Sequence, residues 1–153
     1  MRRRTFVAAA LASAATPLAA RAQGFSVAPI TPANPLEEAF VSALNTPQMR
    51  PIFRRRLLSE RVAVALVSGE PDAGPLSVPV PTQGGGRLVC AAIFTSSDRL
   101  ISVLGADVQF ATMTGRAALT RLASQNVVLN YRLIPMLTLE PADVAEYLAT
   151  PAE

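Results

Sequence analysis

The sequence predicts an α+β fold: one domain with a small mixed or antiparallel sheet of about five strands and helices packed on it. Three observations lead there. Arg87 to Phe94 is an almost unbroken apolar run with apolar residues on both faces, as in a central strand covered on both sides. Helix-start signatures stand near both ends of the chain, at Asn34-Pro35-Leu36-Glu37 and at Glu140-Pro141. Between them lie several short segments with strand alternation. With 153 residues, half of them apolar, the chain suffices for one core without staples.

In chain order, Asn34 is a helix cap, Pro35 the first helical residue and Glu37 the acidic third, and Leu36, Phe40, Ala43 and Leu44 share a face. Thr46-Pro47 starts a second helix, bent or restarted at Pro51, with Met49, Ile52, Phe53 and Leu57 as its apolar stripe. That stripe places Arg54 and Arg55 outward and Arg56 on the apolar side, where Glu60 is its local partner. Residues 61–68 read as a strand. A Gly/Pro-rich connection follows, in which Leu76–Val80 can pair as an edge strand and Gly84-Gly85-Gly86 makes a hairpin or loop. In the central strand Leu88, Cys90, Ala92 and Phe94 face one way and Val89, Ala91 and Ile93 the other. Ser97-Asp98 can cap a short helix through Val103, and Asp107–Met113 alternates as a strand. Thr114 caps a helix bearing Ala118, Leu119 and Leu122. Strands follow at Val127–Asn130 and Met136–Leu139, and the last helix turns Val144, Ala145 and Leu148 inward.

The ends of the chain differ in kind. Residues 1–22 have a basic start, an apolar run from Phe6 to Ala20 and a small-residue end at Ala20-Arg21-Ala22, the pattern of a secretory signal cut after Ala22. Arg3-Arg4-Thr5-Phe6-Val7 resembles the twin-arginine export motif, which implies a bacterial envelope, a periplasmic or secreted destination and export in the folded state. The apolar run, at about 15 residues, is short for a bilayer span. Residues 23–33, with two prolines and no period, read as a flexible lead-in, and the domain proper as 34–150.

Composition excludes several chemistries. The formal charge is +3 over 14 arginines and 11 acids, but four arginines lie in the first 22 residues, so residues 23–153 carry ten arginines against eleven acids. Such a balance argues against nucleic acid as a partner. Histidine and lysine are absent and cysteine occurs once, which removes Ser-His-Asp and Cys-His nucleophiles, Ser-Lys dyads, His/Cys zinc sites and an internal disulfide. Cys90, inside an apolar strand, reads as a small buried hydrophobe. No cofactor or metal site is indicated.

Three segments carry a family resemblance. They are the helix-to-strand passage from Asn34 to Val67, including TPQMRPIFRRRLLSERVAVALV; LVCAAIFTSSDRL, with Phe94, Thr95, Ser96, Asp98 and Leu100; and NVVLNYRLIPMLTLEPADVAEYL. Together they resemble the N-terminal domain of the SseB family, named for enhanced serine sensitivity, over about three quarters of the chain, Asn34 to Ala149. The resemblance implies an α+β domain and transfers no activity or catalytic residue. Tyr131 stands where the family commonly has proline, and an export signal is a second departure.

The leading expectation is therefore an exported, non-catalytic binding module for a protein partner or small ligand. Its candidate surface is the turn after the central strand, Thr95, Ser96, Asp98 and Arg99, with Asn130; plain helix capping is the competing account of those polar residues. Arg54, Arg55 and Arg56 form the alternative, charged patch, for which a solvated helix face is the plainer account. The rival class is an enzyme using two carboxylates, with Asp98, Asp107 and Asp143 as candidates. An accessory role in a secretion apparatus is a third.

Overall fold

From Cys90 to Phe94 both faces of the central strand are buried, whereas Val89, expected on a covered face, is exposed beside the edge strand; the rest of the chain is arranged around the buried half. In a computed structural model, residues 25–67 and 73–151 are described, together with the backbone of a two-residue strand, β1 (Phe6–Val7). The other strands are β2 (Ala28–Pro29), β3 (Arg61–Ala65), β4 (Ser77–Pro81), β5 (Arg87–Phe94), β6 (Phe110–Thr114), β7 (Val127–Leu129), β8 (Leu133–Ile134) and β9 (Met136–Leu139). The helices are α1 (Pro35–Asn45), α2 (Arg50–Ser59, entered through a 3-10 turn at Pro47–Met49), α3 (Ser97–Leu104), α4 (Gly115–Arg121) and α5 (Pro141–Leu148).

The fold is a single α+β domain. The main sheet is mixed and runs β1-β9-β7-β5-β3-β6, with β4 also paired to β5, and a separate two-stranded sheet joins β2 to β8. The strands beyond those expected, β1, β2 and β8, are only two residues long and leave no periodicity to read. β5 pairs antiparallel with β3 and β4 on one side and parallel with β7 on the other, so it is the central strand. β4 is an edge strand paired only to β5, and Pro79 sits on it opposite Val89. The turn between them is closed by the Thr82 amide donating to the Gly86 carbonyl at 2.9 Å, with Gly85 at φ +81°.

Strand alternation sorts the core into two layers. Val62, Val64, Ala91, Ile93, Val127, Leu129, Leu137 and Leu139 face α1, α2, α4 and α5. Ala63, Ala65, Val78, Val80, Cys90, Ala92, Phe94 and Val128 face Leu100 of α3, Tyr131, Leu133 and the partly buried Phe25 and Ile30. Residues 25–33 are thus part of the second layer. Ala28 and Pro29 pair in parallel with Leu133 and Ile134, and Phe25 meets Tyr131 edge-on at 5.7 Å, so order begins before Asn34. The expectation for residues 1–22 lies outside the described residues except for β1, whose backbone pairs antiparallel with β9.

Local differences from the sequence reading have identifiable causes. Thr46 does close α1, but its side chain caps nothing, and the chain restarts at Arg50. Ser96 rather than Ser97 or Asp98 caps α3, its hydroxyl accepting from the Arg99 amide at 3.2 Å. The strand expected at Asp107 begins at Phe110, leaving Asp107 in a turn. In α5 Val144, Tyr147 and the partly buried Leu148 face the core, as expected for Val144 and Leu148, whereas Ala145 is exposed and Tyr147 takes the inward position in its place.

Burial makes a prediction about Cys90, which is 1% exposed. Desolvation pushes its thiol up to about 11. At neutral pH its reaction with a thiol reagent is expected to run at least about 100-fold slower in the folded chain than in the urea-unfolded chain, followed by absorbance. Equal rates would place the thiol at the surface.

Candidate functional site

Two sets of polar side chains were singled out from the sequence, and the structure gives them different roles. The first gathers at the carboxyl ends of β5 and β7, the parallel pair at the middle of the sheet, where open α/β sheets often place ligands. Thr95 follows β5 and Asn130 follows β7, the latter at φ +59°, a conformation that asparagine tolerates. The Asn130 amide donates to the Ile93 carbonyl at 2.9 Å, and its side-chain oxygen accepts from the Thr95 amide at 3.0 Å.

The centre of this set is a residue that the sequence reading treated only as a cap. Glu37 of α1 is fully buried. Its carboxylate accepts from Thr95 Oγ1 at 2.8 Å, Arg99 Nε at 2.8 Å, Arg99 Nη2 at 3.2 Å and the Ala33 amide at 3.0 Å. Arg99 extends the cluster by donating from Nη2 to the Thr31 carbonyl at 2.6 Å. Burial pushes the Glu37 carboxyl up, but the hydrogen bonds from Arg99, Thr95 and Ala33 outweigh it and hold the group below the usual carboxylate range. The bond to Glu37 correspondingly raises Arg99.

A carboxylate with four donors on its two oxygens has no lone pair to spare for proton abstraction. The cluster acts as a cross-link, tying α1, α3, the ends of β5 and β7 and the segment before α1 at one point. Thr95, Arg99 and Asn130 are brought together there. Ser96 spends its hydroxyl on the α3 cap, and Asp98 is exposed on the first turn. The Asn130 side-chain nitrogen is the one buried polar side-chain atom without a partner among the described residues. The signal that could have found Glu37 was present: the helical wheel that gathers Phe40 and Leu44 also places Glu37 beside them.

The second set is the arginine run of α2. Arg54, not Arg56, is the half-buried one, its guanidinium lying 4.5 Å from the Tyr147 ring centroid. Arg56 is exposed and pairs with Glu60 at 3.4 Å. The reversal follows from the stripe: Leu58 is buried and Ile52 is 38% exposed, so the inward sector of α2 is centred on Phe53, Leu57 and Leu58 and takes in Arg54. Arg54→Gln is therefore expected to cost about 1 to 2 kcal/mol through the lost ring contact, and Arg56→Gln at most about 0.5 kcal/mol. Urea unfolding of the two variants checks the order, and a reversed ranking would return Arg56 to the core.

Around this run the arginines accumulate. Residues 50–61 and 115–121 hold seven of the ten arginines beyond residue 22, with Glu60 as the one acid. The two segments meet because α2 packs on α4. A cleft of about 660 Å³ runs between them, lined by Ile52, Arg55, Arg56, Leu58, Ser59, Thr114, Arg116 and Pro151. A second, of about 600 Å³, lies on the other side of Arg55 and is lined by Pro47, Arg50, Pro51, Arg54, Arg55, Thr150 and Pro151. Arg116 fixes the shared wall by donating to the Leu148 carbonyl at 3.2 Å and the Thr150 carbonyl at 2.6 Å.

The carboxylates that an enzyme would need are dispersed. Asp98 is on α3, Asp107 in the turn before β6, and Asp143 at the start of α5, where it accepts from the Glu140 amide at 2.9 Å. Among the described residues no group of three or more Asp, Glu or Cys could hold a metal ion, and no helix is long and apolar enough to cross a membrane. No protein-family model, curated protein or solved structure matches the chain.

Proposed function

We propose that this chain is an exported, non-catalytic binding module of the SseB N-terminal type, which takes an acidic protein partner on the arginine-lined face of α2 and α4. The observation that carries the reading is that five arginines, Arg50, Arg54, Arg55, Arg56 and Arg116, line two clefts on this face, with no acid among the described residues that line them. Two clefts on that face give the guanidinium groups a shaped surface rather than a flat one. Export is supported by the arginine pair, apolar run and small-residue end of residues 1–22, and the family reading by the three segments quoted above. The turn at Thr95–Arg99 has most of its polar groups committed to Glu37, Asn130 and the α3 cap, which moves the working surface to the alternative patch.

The test has two arms. Changing Arg3 and Arg4 together to Lys is expected to leave uncut precursor in the cytoplasm, since a receptor for guanidinium does not accept ammonium; normal processing would refute twin-arginine export. A photocrosslinking residue in place of Ile52 is expected to give a partner adduct in the bacterial envelope that disappears when Arg54 and Arg55 become Gln. Adducts indifferent to that change, or none, would refute the binding face.

A further inference from the structure

We infer that the segment recognised by this face is an extended acidic peptide lying along α2 and straddling Arg55, with carboxylates in both clefts. The inference rests on the binding-module reading and adds the chemistry of the ligand. Arg55 and Pro151 line both clefts, so the two adjoin, with these residues as the divide between them. A compact anion such as phosphate fills only one side of that divide. An extended chain advances about 3.3 Å per residue, and Arg50 to Arg56 spans about 9 Å of helix, so three or four peptide residues match the length of the run.

The walls favour a peptide over a nucleic acid. Ile52, Pro47, Pro51 and Pro151 offer apolar surface to the stems and backbone of such a chain. Among the described residues no aromatic side chain lines either cleft, so bases would have nothing there to stack on. The second cleft also opens at the amino-terminal turn of α2, where the helix dipole adds to Arg50 and Arg54 in favouring a carboxylate. Guanidinium forks bind carboxylates in pairs of hydrogen bonds, and acids at alternate positions of an extended peptide all point to one side, toward the clefts. Arg50 and Arg55 already hold contacts within the chain, so binding exchanges partners rather than filling free charges.

Fluorescence polarisation of two labelled hexapeptides with the purified full chain tests this, one alternating Glu and Leu and one alternating Lys and Leu. The acidic peptide is expected to bind, with affinity falling about tenfold or more between roughly 50 and 300 mM salt, and the basic one not to bind. Arg55→Glu, an exposed substitution checked for folding by circular dichroism, is expected to abolish binding, whereas Arg87→Glu on the β4–β5 hairpin leaves it unchanged. Because Arg2, Arg3 and Arg4 persist in both variants, equal binding by the two would assign the signal to the amino terminus and overturn the inference. Competition by inorganic phosphate or a single-stranded oligonucleotide at concentrations similar to the peptide would overturn it in favour of a general anion site. Loss of peptide binding with the Ile52 adduct retained would sink the peptide but keep the module; loss of both would sink both.

Discussion

Replacing Arg99 with Leu is expected to destabilise the chain by about 3 to 5 kcal/mol, because it leaves the Glu37 carboxylate buried with its principal partner gone. For a chain of this size that corresponds to a fall in Tm of roughly 10 °C. Glu37 is completely buried, and Arg99 Nε and Nη2 supply two of its four hydrogen bonds. The cost belongs to the orphaned charge rather than to the pair, so changing Glu37 and Arg99 together to Leu should recover much of it. Chemical denaturation of the single and double variants measures both. A single-variant cost below about 1 kcal/mol would show the cross-link to be ornamental.

The same cluster has a pH signature. The folded Glu37 carboxyl lies below its ordinary value, so in the unfolded chain it takes up a proton first as pH falls. Its contribution is complete above the unfolded value of about 4.3 and drains away as pH drops through the folded value. Stability measured between about pH 5 and 3 is expected to fall more steeply for the native chain than for Glu37→Gln. Parallel curves would mean that the carboxylate is not held by these donors.

Gly115→Ala is expected to cost on the order of 3 kcal/mol or more, by overpacking against backbone. A Cβ at Gly115 would sit 1.7 Å from the Leu57 carbonyl oxygen and 2.7 Å from its carbon. Neither can swing aside as a side chain could, so the last turn of α2 and the first turn of α4 would have to separate. That movement also strains the Gly115 amide, which donates to the Glu60 carbonyl at 2.9 Å. Gly84→Ala is the control: nothing lies within 4 Å of a Cβ there, and a change within about 0.5 kcal/mol is expected. A similar small effect at Gly115 would contradict the close helix contact.

Legibility in the sequence followed locality. The central strand, the caps at Asn34 and Thr114 and the start at Pro141 were readable because each depends on residues a few positions apart, and hydrogen bonds such as Thr114 Oγ1 accepting from Ala117 bear this out. The Glu37–Arg99 pair joins positions 62 apart, and no spacing rule reaches that far. The Arg54–Arg56 reversal is a failure of another kind. On a short helix with few apolar residues, counting Ile52 instead of Leu58 rotated the inferred buried face enough to exchange two neighbours. The arginine groove needed α2 and α4 side by side, which only the tertiary packing supplies.

The clustering of arginines on α2 and α4 also separates two quantities that are often treated as one, the isoelectric behaviour of residues 23–153 and their adhesion. Ten arginines against eleven acids give almost no electrophoretic drive near neutrality, yet seven of those arginines lie in two adjoining segments. An anionic lattice responds to such a local concentration rather than to the sum, and draws the arginine-bearing side toward itself first. Adsorbed on a negatively charged matrix, the molecules would share one orientation, and a cation-exchange column would retain a protein that its charge balance says should flow through.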